Sequence, residues 1–388
     1  MMSEKFTKKI LLLFQYMLIF LILTGCTSKS SRFGVIFTNN HLDIYRIPDN
    51  TQSKVEQLTF TPTIGEYGLL VSKNGDKIVF STDFFSSLEI KPSELAIEEL
   101  RHIYLLDTAS KKLIDITNVL ENKYAQVGPD FFMDWSSDQK QFMVIIDEGG
   151  GYEIKSFLEF MDLDGKNRKQ IFIPTTGKIP SLIQTAKWSP DAEKVVLTQG
   201  VIGVKQQWEN PGIAILIYDI ESGKLTQITD YKDGCLPRGW SPTSQQIVAT
   251  CSYSPPYNAE GISGPDTVRI FDIEKPDQPY EHIAFSPCYD PSWSPDGKQL
   301  AFVCDKGSDL TGLFIANSDG NGIREVKLGN FVVLKEPTWS PDGTQIVYVA
   351  GSDYEHTNIY LVYPDGSNNH PLTNQEAYYS IVSVYPLP

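Results

Sequence analysis

The chain is poor in the side chains on which most hydrolytic and metal chemistry depends. Its 388 residues include only five histidines: His41, His102, His282, His356 and His370. No two stand at helical metal-ligand spacing and no HExxH occurs, which removes zincin-type chemistry. There is no Gly-x-Ser-x-Gly elbow, and the repeats described below leave no room for a hydrolase domain. Cysteine is scarce, five in all, and none forms the CxxC pair of a zinc site. Positive charge is short as well. Against 48 Asp and Glu there are 33 Lys and Arg, a formal charge of −15. That balance argues against nucleic acid and anionic lipid surfaces as direct partners. No long low-complexity stretch appears. With 41% apolar and 12% aromatic residues, the chain can bury a large continuous core.

What is present is a recurring phrase. Trp-Ser-Pro-Asp-Gly stands intact at Trp293–Gly297 and Trp339–Gly343. Degenerate copies begin at Trp135, Trp188 and Trp240, and a copy without its Trp begins at Val71. Successive starts lie 64, 53, 52, 53 and 46 residues apart. β-rich units at such a period mean a stacked array or a propeller. Pro and Asp-Gly supply the fixed φ and the positive φ of a tight hairpin. A second hairpin follows in every unit, as at Ile359–Gly366 and Leu216–Gly223, and many end on Leu/Ile-Thr. Four strands per unit is the blade of a β-propeller.

The two hairpin types do not balance. There are six phrase hairpins but seven second ones, because one more lies at Asp43–Ile47. A lone strand precedes it at Gly34–Phe37, and another closes the chain at Tyr379–Val384. The sequence therefore predicts an all-β fold of seven blades. One blade is built from both ends, with the C-terminus as its inner strand. Six blades with a loose N-terminal segment is the alternative. The phrase and its following strand resemble the periplasmic WD-like repeats of the TolB β-propeller family, over essentially all of residues 33–388. Similar repeats form the propellers of prolyl-oligopeptidase-type enzymes and tricorn protease. The resemblance implies a binding platform more than a reaction. Some relatives of this architecture are polysaccharide lyases with clustered His and a metal in the channel, so a divalent cation and a lyase or hydrolase activity form the rival expectation.

The N-terminus reads separately. Lys5, Lys8 and Lys9 precede an apolar run, Ile10–Leu23, too short for a confident membrane span. Leu23-Thr24-Gly25-Cys26 resembles the bacterial lipobox, which implies cleavage before Cys26 and lipid on its thiol. An ordinary signal peptide or an uncleaved anchor is the alternative. The expected organisation is a signal peptide (1–25), a lipidated Cys with a short tether (26–32) and the propeller (33–388), outside the cytoplasm on a membrane. Residues 1–25 carry three Lys and Glu4, net +2, so the mature chain is −15 − 2 = −17.

The other four cysteines repeat in register. Cys235 and Cys288 each lie five residues before a phrase Trp, and Cys251 and Cys304 each lie eleven after it. Across a hairpin centred on the phrase, these positions face each other at disulfide range. The expectation is Cys235–Cys251 and Cys288–Cys304, with free thiols or a cross-blade pair as alternatives. The phrase Trp residues read as packing between blades.

Function is expected on the rim opposite the phrase turns, where the longer links run. Its aromatics are Phe84, Tyr152, Trp208, Tyr253 and Tyr257. Its acids are Asp83, Asp147, Glu148, Asp305, Asp309, Asp353 and Glu355, several of them just after a second strand. They could ring the channel mouth and attract a cation or a basic peptide. The partner expected is an envelope protein, peptide or glycan, met by a monomer with no cofactor.

Overall fold

The computed structural model describes residues 32–39, 43–51, 54–59, 66–82, 102–116, 134–148, 155–174, 181–201, 212–252, 266–275, 281–282 and 287–387. The expected leader and Cys26 lie outside them. The described residues hold 28 strands, numbered in chain order, in seven four-stranded antiparallel sheets. Blade one joins β28 (Tyr379–Pro386) to β1 (Phe33–Asn39), β2 (Ile44–Ile47) and β3 (Glu56–Gln57), in that order. The C-terminus thus supplies the inner strand and the N-terminus the outer three. Blades two to seven follow in sequence and begin with β4 (Glu66–Val71), β8 (Asp134–Trp135), β12 (Ser181–Trp188), β16 (Cys235–Trp240), β20 (Cys288–Trp293) and β24 (Val333–Trp339). First strands of neighbouring blades touch, as β20 does β16 and β24, so they form the wall of the central channel.

The apolar core is divided among the blade interfaces. Each of seven buried clusters lies between two neighbouring blades. Strand β25 (Ile346–Gly351) shows why. Ile346, Tyr348 and Ala350 pack toward blade six, while Val347 and Val349 pack toward blade one. Successive strand residues point to opposite faces, so a sheet apolar on both faces needs a neighbour on each. Seven blades with seven interfaces make a closed ring. The phrase Trp residues sit in these interfaces, each against the preceding blade. The Trp240 indole N–H also donates to the Lys187 carbonyl at 3.1 Å, and Trp339 to the Ser292 carbonyl at 3.2 Å.

The rest of the phrase is a hydrogen-bonded turn. The Ser340 hydroxyl donates to Asp342 at 2.6 Å and accepts the Gln345 N–H at 2.9 Å. Ser294 does the same with Asp296 and Gln299, and Ser189 with Asp191 and Lys194. These bonds hold the phrase carboxyls below the usual carboxylate range where they are exposed, as at Asp296. The Leu/Ile-Thr endings have a similar cause. Thr59, Thr229 and Thr373 accept backbone N–H groups of Ile44, Ile215 and Ile359, which ties each outer strand to the third.

Both expected disulfides are present. Cys235 faces Cys251 and Cys288 faces Cys304 in register, with Cα separations of 4.0 and 4.1 Å. Each closes a sequence separation of 16, worth about 3 kcal/mol in the chain-entropy account.

The last phrase position needs left-handed backbone. Gly297 and Gly343 both have φ near +70°, whereas the degenerate copies place Gln139 (+58°), Ala192 (+61°) and Ser244 (+60°) there. A side chain costs about 1–2 kcal/mol in that region. Ala192→Gly should therefore stabilise the protein by about 0.5–1 kcal/mol after the entropy cost of glycine. The measurement is the urea midpoint at unchanged slope, and a lower midpoint would refute the account.

Candidate functional site

The links opposite the phrase turns shape a groove of about 620 Å³ between blades six and seven. It starts from β20, where Tyr289 and Asp290 follow the bridged Cys288. Asp305 follows the partner Cys304 on β21 (Gln299–Gly307). The disulfide thus ties together the two strand ends that carry these residues. Strand β21 turns into β22 (Leu310–Asn317) through Ser308 and Asp309. Both have positive φ, +53° and +58°, the requirement of a two-residue hairpin whose twist matches its strands. The tip holds Asp309 over the groove. The far wall is Val332, Val333, Leu334 and Lys335, and Tyr354 completes the lining.

The groove floor continues into the channel wall through two bulges. The β20 register slips between Tyr289 and Ser292, and the β24 register between Lys335 and Thr338. Asp290 and Glu336 occupy the slips with left-handed φ, +49° and +55°. A bulge re-aims its side chain. Here each carboxylate reaches the next blade. Asp290 accepts the Glu336 N–H at 3.2 Å. Glu336 accepts the Ile381 N–H at 2.6 Å and the Ser380 hydroxyl at 2.9 Å. Enclosure raises the Glu336 carboxyl above its ordinary value despite Lys335, 3.3 Å away. The Lys335 ammonium also lies 4.1 Å from the Tyr378 ring centre. Tyr289 is half-buried. Burial first, and then the neighbouring Asp305, raises its phenol and keeps it protonated as a donor.

Of the acids expected at the rim, Asp305 and Asp309 line the groove. Asp353 and Glu355 stand on the exposed link beside Tyr354, outside the lining. Asp353 is engaged locally: it accepts the N–H groups of Glu355 and His356 and pairs with His356 Nδ1 at 2.8 Å. Asp147 and Glu148 end β9 (Gln141–Glu148), and their side chains lie outside the described residues. Asp83, Phe84, Tyr152, Trp208, Tyr253 and Tyr257 lie outside them too. Sequence reasoning passed over Tyr289, Asp290, Lys335 and Tyr354. A signal existed for Asp290. Tyr289-Asp290-Pro291 and Lys335-Glu336-Pro337 stand at the same distance before a phrase Trp, and an acid before that Pro marks each bulge.

A second charged group lies on the channel wall at blades three to five. Asp134 accepts the Trp188 N–H of the next blade at 2.6 Å, and Lys187 Nζ donates to the Arg238 carbonyl at 3.2 Å. Lys187 touches solvent yet is ringed by protein. That enclosure, with Arg238 nearby, lowers its ammonium, while Asp134 opposes the shift. Burial raises Asp134 to about 6, against the pull of Lys187.

No family model matches the chain. Among solved structures it is similar to an oligogalacturonate lyase in complex with manganese, at TM-score 0.58 and 15% identity over 89% of this chain and 85% of that one. A prolyl endopeptidase aligns at TM-score 0.57 and 14% identity over 90% of this chain, which spans only 50% of the endopeptidase. TolB from Acinetobacter baumannii aligns at TM-score 0.47 and 18% identity over 82% of this chain and 69% of that one.

A carboxyl raised in the folded state stabilises the protein below about pH 4 and loses that contribution as pH rises through 6. For Asp134 the loss between pH 4 and pH 7 is at most about 3 kcal/mol. Asp134→Asn should flatten that part of the stability profile, read by thermal unfolding across pH. A variant profile that falls as steeply as the wild type would refute the assignment. Structurally the chain is a seven-bladed β-propeller.

Proposed function

We propose that the protein is a lipid-anchored propeller of the bacterial cell envelope that binds a protein or peptide on the rim opposite its phrase turns. The groove between blades six and seven carries this reading. It joins a concave surface to carboxylates, phenols and aliphatic side chains on a rigid ring, the composition of a recognition site. Its walls are strand ends and tight hairpins, one pair bridged by a disulfide, so little ordering entropy is lost on binding. Two disulfides fit an oxidising compartment outside the cytoplasm. Cys26 after its apolar run supports the anchor, since several acyl chains at one terminus hold a protein stably where one does not. The rival reading is a metal-dependent lyase or hydrolase with its site in the propeller channel. Among the described residues, no three His, Cys, Asp or Glu side chains gather to hold a metal ion.

Two outcomes are expected. Cys26→Ala should abolish incorporation of labelled fatty acid and move the protein from the membrane to the soluble fraction. Retention of label would sink the anchor. With p-benzoylphenylalanine in place of Tyr354, irradiation of intact cells should give discrete adducts with an envelope protein. The same probe in place of Asp296, on the opposite rim, should give none. Adducts at neither position, or the same set at both, would count against this rim as the binding face.

A further inference from the structure

We infer that the groove between blades six and seven selects a basic side chain, an arginine or lysine of an extended partner segment, flanked by apolar residues. The inference rests on the reading of this rim as the binding face and names what it recognises. Three carboxylates line the groove, Asp290, Asp305 and Asp309, against one ammonium, Lys335. That ammonium is already engaged with Glu336 at 3.3 Å and with the Tyr378 ring. The cavity therefore presents a net negative field that its concave shape focuses on a cation.

The surface is also apolar where a solvated acidic face would not be. Seven large hydrophobic side chains are exposed among the described residues, and two of them, Val332 (45%) and Tyr354 (64%), line this same groove. Exposed apolar side chains beside a concavity mark an interaction site. Tyr354 offers a ring face to a guanidinium or ammonium. The Tyr289 phenol, kept protonated, donates to Asp305 and so holds that carboxylate in place at the groove. A groove of about 620 Å³ has room for one long side chain and the backbone on either side of it. A free metal ion would use the carboxylates but neither Val332 nor Tyr354.

The test uses the mature protein and a positional-scanning library of octapeptides. The expected result is enrichment of Arg or Lys over Glu by at least tenfold at one position, with aliphatic residues beside it. Citrulline keeps the shape of arginine without its charge, and in the best peptide it should weaken binding about tenfold. Asp305→Asn with Asp309→Asn should erase that difference, and Tyr354→Ala should weaken both peptides. These three residues are exposed, so unfolding midpoints should stay at the wild-type value. Should the double variant fail to fold, Asp309→Asn at the hairpin tip reads the charge alone. Absence of peptide binding, equal binding of the arginine and citrulline peptides, or a preference that survives the variants would overturn the inference. Envelope adducts at position 354 together with any of these results would leave the rim as a binding face and remove only its basic selectivity.

Discussion

Everything in this protein depends on sheets that are apolar on both faces. A four-stranded sheet of that kind cannot bury itself. Each blade finds its core only against its neighbours, and Val347 and Tyr348, adjacent in one strand, belong to different interfaces. An array of such blades has two unburied faces unless it closes. Closure is therefore a requirement of the hydrophobic effect, and the paired termini of blade one meet it with backbone hydrogen bonds along most of β1 and β28.

The same arrangement decides where a site can form. Inside a blade there is no space, since its strands are hydrogen-bonded neighbours. Between blades the phrase Trp residues fill one end of the interface. At the other end the sheets diverge, and the links decide how much room remains. Between blades six and seven those links are short and their hairpin is tight, so the groove has defined walls. The bulges at Asp290 and Glu336 serve both sides of it. Each turns a carboxylate toward the next blade, ties successive inner strands together and leaves negative charge at the junction of groove and channel. The left-handed backbone at these two acids costs energy. For Glu336 the bonds to Ile381 and Ser380 offset it.

Much of the fold was legible because its signals are local and repeated. The phrase turn is specified by hydrogen bonds within six residues. The Leu/Ile-Thr endings are specified by one side chain on one N–H. The disulfides followed from two cysteines equally placed about a turn, which fixes their register whatever the rest of the chain does. Asp305 and Asp309 were legible for the same reason, standing at the end of a strand and the tip of its hairpin. Tyr289, Lys335 and Tyr354 were not. They come from two inner strands and one link of two blades, and no spacing along the chain carries the distance between them.

The sequence by itself determined the unit: four strands, two turn types, alternating apolar faces and the odd hairpin that makes seven blades from six phrases. Those are properties of near neighbours, written in dihedral preference and side-chain period. Tertiary structure decided which acids act together. Of the acids spaced along the chain, Asp290, Asp305 and Asp309 share a groove, and Asp353 is engaged by His356 on its own link. That outcome turns on the angle between two sheets and on one extra residue in each of two inner strands. It is a matter of geometry between blades, which no single repeat contains.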